Sequence, residues 1–371
     1  MDLTSTLLRR TRPSLFLITG LGGTACRLAV ERAVRERAFR QALSPAEANL
    51  LVTCGSLQGG LDDLADRVWA QLPLPQARVH LTEVGDTAAG LSRALSELTD
   101  LDRQRSGVRI PAPVTGPVSK QPDPSKEHAG HDMSGMDIDQ PGHDMSDMEM
   151  PGGLTMAERG PDRDGLSLDQ LHVPLGPALP DWPTGLCLRL LIQGDVVQEA
   201  RVEVIGDGET GAPFWTGELS RPAALDSLQR LLSVAGWTTA ALRGRRLRDA
   251  LLTDPTADVG AALEKWSRRV RRSSLLRWST DGLGVFPDST GVSGDATARW
   301  LRWLDLAAAP DPAGPVADDQ PSRAEAAHQI LDALPGLLVG QELAAVRLIV
   351  ASLDPDVEAM VAGSRQGGGH A

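Results

Sequence analysis

The sequence contains no tyrosine and only four phenylalanines among 371 residues, although eight tryptophans are present. The absence of tyrosine excludes any mechanism that needs a phenolic hydroxyl from this chain. The three cysteines, Cys26, Cys54 and Cys187, lie far apart and show no Cys-x-x-Cys spacing. They therefore predict neither a disulfide framework nor the four thiolate ligands of an iron–sulfur cluster.

Basic residues are also in deficit, because 37 Lys and Arg stand against 49 Asp and Glu, a formal net charge of −12. A phosphate backbone repels an acidic chain, so we expect no nucleic-acid partner. The apolar runs are short, and none approaches the roughly 20 apolar residues of a membrane-spanning helix. The run at 14–19 is too short for the core of a secretory signal. We therefore expect a cytoplasmic chain with no transmembrane segment of its own.

The first part of the chain has the pattern of an α/β layer fold, in which short apolar runs alternate with amphipathic stretches. The predicted order is strand 15–19, helix 26–42, strand 50–54, helix 61–72, strand 77–84 and helix 87–98. The glycine turn at 20–23 is either a phosphate cradle or a close-packed turn without a ligand. Cys26 opens the first helix as either an activated thiolate or a buried structural thiol.

Residues 106–165 differ sharply in composition, which predicts a flexible linker. Five prolines precede a segment that holds six of the eight methionines, and its heptapeptide HDMSGMD at 131–137 returns as HDMSDME at 143–149. Thioether and imidazole groups are ligands that Cu(I) prefers, so the segment predicts a loose copper site. Its candidate ligands are His128, His131, Met133, Met136, His143, Met145 and Met148. The alternative is a solvated acidic linker that binds no metal.

The third part of the chain begins as a β-hairpin and continues mostly as helices. Strands are predicted at 186–191 and 196–204 around the turn Gln193-Gly194-Asp195. Helices are predicted at 242–252, 261–270, 296–306 and 338–353, and the glycine-rich tail at 356–371 is expected to be flexible. Ten basic residues lie between Arg243 and Arg277. They form either a docking face for an acidic partner or anionic membrane, or ordinary solvated helix faces.

Residues 1–105 resemble the small iron–sulfur subunit of respiratory complex I and of the membrane-bound nickel–iron hydrogenases. The resemblance depends on the segments GLGGTAC at 20–26, ANLLVTCGSL at 48–57 and VWAQLPLPQARV at 68–79. The most specific of these is the last, in which a helix ends in a proline turn directly before a buried strand. In that family four cysteines hold the terminal cluster, and only Cys26 matches a position of their adjacent pair. The resemblance thus implies Cys26 as a remnant ligand, and an iron–sulfur cluster is not expected.

Residues 166–355 resemble the beginning of the large subunit of the same complexes. The matching segments are GPALPDWPTGL at 176–186 and RWSTDGLGV at 277–285. The family carries two quinone-pocket histidines in the first turn, whereas Leu179 and Trp182 or Pro183 stand here. Its quinone-facing tyrosine and the paired cysteines of the hydrogenase metal site are also missing. The resemblance therefore implies the scaffold of these complexes without their redox centres.

Pattern and resemblance together predict an α/β N-terminal domain of flavodoxin-like, small-subunit type at 1–105. A linker at 106–165 would join it to an α+β domain of large-subunit type at 166–355, followed by the tail at 356–371. The function implied is a non-catalytic accessory or assembly subunit of a complex I-like or hydrogenase-like oxidoreductase. Its partners would be the membrane and peripheral subunits of that assembly, on the cytoplasmic face of the membrane. The alternatives are a metal-binding protein that acts through the Met/His segment, and an electron carrier whose missing cluster ligands come from a partner chain.

Overall fold

The computed structural model describes residues 12–106, 159–161, 167–206, 212–217, 219–287, 292–309 and 322–367. Its first sheet is parallel and consists of β1 (Ser14–Thr19), β2 (Arg40–Gln41), β3 (Leu50–Cys54) and β4 (Ala77–Leu81). The strand order β2-β1-β3-β4 is the flavodoxin-like order. Strand β3 is central in the sheet and buried at every position. Its mostly apolar sequence is typical of a parallel strand that is covered on both faces.

Helices cover both faces of this sheet. Helices α1 (Thr24–Glu36) and α3 (Thr87–Thr99) share one apolar core with the sheet, and α2 (Leu61–Trp69) shares the other. A short helix, α4 (Leu101–Ser106), follows α3. The first helix ends earlier than the predicted 26–42, because Ala38 adopts a left-handed conformation with φ of 54° and the next residues pair with β1.

The second sheet is antiparallel, with the strands β5 (Arg159–Pro161), β6 (Ser167–Leu175), β7 (Leu186–Gln193) and β8 (Val196–Val204) in that order. The predicted hairpin is confirmed as β7 and β8. The sequence did not predict β5 and β6, because their polar residues break the apolar alternation. Strand β5 lies inside the predicted linker at 106–165. The rest of that linker within 107–158, including the candidate ligands His128 to Met148, lies outside the described residues.

The remaining described residues are mostly helical. The helices are α5 (Arg221–Val234), α6 (Thr238–Thr253), α7 (Gly260–Arg271), α8 (Ser274–Thr280), α9 (Ala296–Ala308), α10 (Arg323–Leu338), α11 (Leu343–Leu353) and α12 (Val357–Gly367). The predicted helix at 338–353 is corrected to α11, because a turn at 339–342 separates it from α10. The predicted tail is helical as far as Gly367, because Val357 packs into the core of the second sheet. The predicted fold class is confirmed, whereas the domain boundaries stay predictions.

No helix in the described part of the chain is long and apolar enough to cross a membrane. The two halves of the fold pack directly against each other. Leu21, in the first glycine turn, is buried in the apolar core beneath the second sheet. Helix α1 lies against α5 and α6, so one of its long sides faces the parallel sheet and another faces these two helices.

Candidate functional site

The glycine turn before α1 is a close-packed turn, as one of its two interpretations expects. The backbone N–H of Gly20 donates to the carbonyl of Cys54 at 2.8 Å, and that of Ser56 donates to Leu21 at 2.9 Å. A Cβ at Gly20 would lie 1.8 Å from the Ser56 carbonyl oxygen. The turn therefore needs glycine for a close backbone approach, and these N–H groups are already used within the protein.

Helix α1 carries two different buried faces. Cys26, Val30 and Val34, spaced by four residues, pack into the apolar core of the parallel sheet. One position further on, Arg27 and Glu31 turn by about 100° toward α5 and α6. Both charged side chains are buried, with 8% and 4% of their side-chain surface exposed. The helix thus joins an apolar core on one side to a charged interface on the other.

Five arginines and five carboxylates pair with one another at this interface, and we call them the interface network. They are Arg27, Arg35, Arg230, Arg245 and Arg248, with Glu31, Asp181, Asp226, Asp249 and Asp354. They come from α1, α5, α6, the loop between β6 and β7, and the residue that follows α11. The formal charges of the ten side chains sum to zero.

The centre of the interface network is Arg248 of α6, whose side chain is fully buried. Its guanidinium contacts Glu31 of α1 at 2.9 Å and Asp226 of α5 at 2.5 Å. Arg27 contacts the same two carboxylates, Glu31 at 2.9 Å and Asp226 at 2.6 Å. Two arginines and two carboxylates from three helices therefore pair away from water, while Nε of Arg27 and Nη2 of Arg248 are buried with no hydrogen-bond partner among the described residues.

The pKa values of these groups follow from their partners. Burial alone would raise the pKa of Glu31, but the charges of Arg248, Arg245 and Arg27 outweigh it and lower the pKa to about 2. Burial opposes the ionised form of Asp226 too, but Arg27 and Arg248 hold its pKa well below the usual range. The pKa of Arg248 is raised because Glu31, Asp226 and Asp249 outweigh its burial. All these groups are therefore ionised at neutral pH.

Three carboxylates, Asp354, Asp356 and Glu358, lie at alternate positions from the end of α11 into the first turn of α12. Asp354 pairs with Arg230, and Asp356 contacts Arg323 of α10 at 2.7 Å. Glu358 accepts a hydrogen bond of 3.2 Å from the backbone N–H of Thr24, at the beginning of α1. Burial raises the pKa of Glu358. The N-terminus of α1 is thus covered by a side chain of this same chain.

Two cavities at the domain boundary are small. One of about 20 Å³ is lined by residues that include Arg27, Glu31, Leu179 and Trp182. The other, of about 30 Å³, lies beside Thr24, Asp226 and Glu358. Each has room for one or two water molecules, whereas a pocket for an organic ligand measures roughly 300 to 1,000 Å³. Leu179 and Trp182, the positions for which the sequence resemblance implied quinone-pocket histidines, therefore line a cavity with room for about one water molecule.

A larger groove of about 470 Å³ runs along the outer side of α1. It is lined by small and apolar side chains, among them Ala25, Ala29, Phe214 and Leu252, with Arg32, Glu36 and Arg37 also in its wall. Asp249, a member of the interface network, also lines this groove.

The cysteines do not form a ligand set. Cys26 and Cys54 lie in the same apolar core, both are buried, and burial raises the pKa of both thiols. Cys187 is buried in β7, in the other sheet. Within the described ranges no three His, Cys, Asp or Glu side chains are grouped to hold a metal ion. These residues do not fit an iron–sulfur cluster, and the assignment of Cys26 as a remnant ligand stays a prediction.

Sequence reasoning missed the interface network, although parts of it have a sequence signal. Arg27 and Glu31 are spaced i, i+4 on a helix whose neighbouring positions are apolar, and Arg245 and Arg248 are spaced i, i+3. The contacts between the three helices depend on tertiary packing, which the spacing alone does not contain. The candidate copper ligands lie outside the described residues, so copper binding also stays a prediction.

No family model and no curated protein matches the sequence. Among solved structures, the chain is similar to a chain of the membrane-bound sulfane sulfur reductase (MBS), an archaeal respiratory membrane complex. The two are 14% identical, the match covers 51% of this chain and 98% of that chain, and the TM-score is 0.34. The likeness is one of structure at low identity and assigns no activity to this chain.

Proposed function

We propose that this chain is a non-catalytic accessory or assembly subunit of a complex I-like or hydrogenase-like membrane-associated oxidoreductase. The observation that carries the proposal is the interface network. At the boundary between the two domains, buried side chains of this chain pair with one another. A site that served electron transfer would instead present ligands or an open pocket there.

The interface network supports a structural role because each of its charged side chains is stable in the interior only when its partners are in place. Moving an ion from water into a protein interior costs several kcal/mol, and pairing offsets that cost only in good geometry. Arg248 finds its two main partners on α1 and α5, which belong to different domains. The network therefore favours one relative orientation of the two domains. A rigid two-domain body of this kind can present fixed surfaces to the membrane and peripheral subunits of an assembly.

The proposal is tested by gentle purification of the full chain from its native membranes, with identification of co-purifying chains and metal analysis of the same sample. We expect membrane and peripheral oxidoreductase subunits to co-purify, and the isolated chain to be free of iron and acid-labile sulfide. Stoichiometric iron and sulfide in the isolated chain would contradict the proposal, as would purification without partners.

Variants separate a structural role from a redox role. Cys26→Ala should leave the iron content and the turnover of the assembled complex unchanged, because the thiol lies in an apolar core. Arg248→Ala should lower the amount of assembled complex, whereas Arg246→Ala, on the exposed side of the same helix, should not. Loss of iron in Cys26→Ala, with assembly intact, would contradict the proposal.

The metal analysis also tests the alternative function. Copper retained by the chain, and lost when residues 127–156 are deleted, would favour a metal-binding protein that acts through the Met/His segment. If membrane subunits were absent from the same sample, that outcome would replace the accessory role.

A further inference from the structure

The short helix α8 exposes two large apolar side chains on one side. Leu275 is 71% exposed and Trp278 is 81% exposed, and their i, i+3 spacing places them next to each other. The helix is fixed from its other side, where Leu276 and Thr280 are buried. Trp278 is therefore a protruding aromatic side chain on a well-packed element.

The chain around α8 is strongly basic. Residues 260–280 contain six basic side chains, Lys265, Arg268, Arg269, Arg271, Arg272 and Arg277, against one carboxylate, Glu264. Some of these charges have local partners. Arg268 contacts Glu264 at 3.2 Å, Arg271 pairs with Asp305, and the guanidinium groups of Arg269 and Arg277 lie over tryptophan rings. Lys265 and Arg272 are exposed, so a positive surface stands out on a protein whose net charge is −12.

We propose that Leu275 and Trp278, with the exposed basic side chains of α7 and Arg272, form a contact surface for an anionic lipid bilayer. We call this set of residues the α8 surface. Tryptophan favours the interface between water and lipid, and basic residues are attracted to anionic headgroups. The net charge of the chain would otherwise keep it away from such a membrane, so the positive charge of the α8 surface would orient its approach.

The geometry favours a lipid surface over an acidic protein. A protein hot spot is an aromatic anchor that fills a complementary pocket, with charged pairs at its rim. Trp278 and Leu275 protrude into solvent, so a protein partner would have to supply such a pocket for them. A bilayer needs no complementary pocket, because a protruding apolar tip enters the headgroup region directly.

Vesicle flotation of the full chain tests the proposal. Vesicles of phosphatidylcholine alone are compared with vesicles in which about a third of the lipid is phosphatidylglycerol. We expect binding to the anionic vesicles, weakened by salt, and little binding to the neutral ones. Equal binding to both, or binding to neither at low salt, would overturn the proposal.

Matched variants locate the surface. Arg272→Glu should weaken the partition to anionic vesicles by more than about fivefold, because one basic residue near the membrane contributes about that factor. Arg201→Glu, in β8, makes the same change in net charge at a side chain that is 80% exposed, and should change it less than about twofold.

A second pair of variants tests the contribution of the two apolar side chains of the α8 surface. Trp278→Ala with Leu275→Ala should reduce binding about tenfold or more, whereas Leu171→Ala, at a residue of β6 that is 52% exposed, should not. Equal losses in the paired variants would overturn the assignment of the surface. If vesicle binding is absent and Trp278→Ala instead removes a co-purifying acidic protein, the partner is that protein and not lipid. Neither result depends on whether the chain is an accessory subunit.

Discussion

Helices α6 and α7 are both rich in arginine, but their arginines have opposite environments. Arg245 and Arg248 of α6 are buried at the domain boundary, where carboxylates of other elements meet them. Arg268 of α7 is exposed, as is Arg272, the residue after the end of α7. The carboxylate that pairs with Arg268 is Glu264, on the same helix. The number of arginines in a stretch therefore does not decide whether they are buried and paired or exposed. The position of the opposing carboxylates decides it.

The energetic consequences differ as much as the environments. Removing one partner of a buried, fully paired group leaves an uncompensated charge in the interior, which is strongly destabilising. An exposed pair loses little, because water and salt already screen it. If the comparison is sound, matched substitutions on α6 and α7 should differ by about tenfold in their effect on stability.

The largest effect is expected for Arg248→Ala. The substitution removes one of the two arginines that Glu31 and Asp226 share, which leaves excess negative charge in the interior, and should lower the free energy of unfolding by about 3 to 5 kcal/mol. Urea denaturation at neutral pH measures the change. Arg246→Ala, two residues earlier on the exposed side, is the control and should stay within about 0.5 kcal/mol. Equal losses in the two variants would show that the interface network does not hold the domains together.

The next effect is a loss of stability in acid. Because the pKa of Glu31 is lowered to about 2 in the folded protein, its contribution is present above the unfolded value and is lost as the pH falls toward 2. The loss from this group should be about 3 kcal/mol, and Asp226 shifts in the same direction. Denaturation series between neutral pH and about pH 2 measure the slope. The slope should be shallower in Glu31→Gln, and an unchanged slope would contradict the assignment.

Much of the fold could be predicted from the sequence, because its signals are local. The sequence predicts strand β3 with the bounds that the structure shows, because a short apolar run between a polar turn and a glycine turn is typical of a buried strand. The end of α1 was misplaced, because the apolar pattern continues past Ala38, where the backbone turns left-handed. Strand β6 was missed because it is recognised through its pairing with β7, which is not local in sequence.

The candidate site was less predictable for the same reason. Both interpretations of the basic residues between Arg243 and Arg277 treat them as one exposed stretch, which is wrong for Arg245 and Arg248, because both are buried. Their partners Glu31 and Asp181 lie far away along the chain. Asp354 lies next to the tail at 356–371 that the glycine content predicts to be flexible, and Glu358 lies within it. Long-range charge pairing leaves no spacing pattern that a single sequence can reveal.

Glu358→Gln should stabilise the protein at pH 7, whereas the changes at Arg248 and Glu31 destabilise it. Burial raises the pKa of Glu358, so its contribution is present below the unfolded value and is lost as the pH rises through the folded value. The glutamine keeps an oxygen that can accept from the Thr24 N–H, without the charge. We expect the variant to be more stable at pH 7, by less than either loss above, and equal to the original chain near pH 4. Lower stability at pH 7 would show that the carboxylate is needed ionised.

The smallest effect is expected for Arg268→Ala, which removes the exposed pair with Glu264. This pair has the same i, i+4 spacing as Arg27 and Glu31, but its side chains are 57% and 72% exposed, against 8% and 4%. The exposed pair should contribute about 0.3 to 0.5 kcal/mol, and molar salt should remove even that. Arg27→Ala, measured in the same urea series, should cost several kcal/mol at either salt concentration, because burial keeps ions away from the pair. If the two substitutions cost the same, burial would not be what separates the two arginine-rich regions.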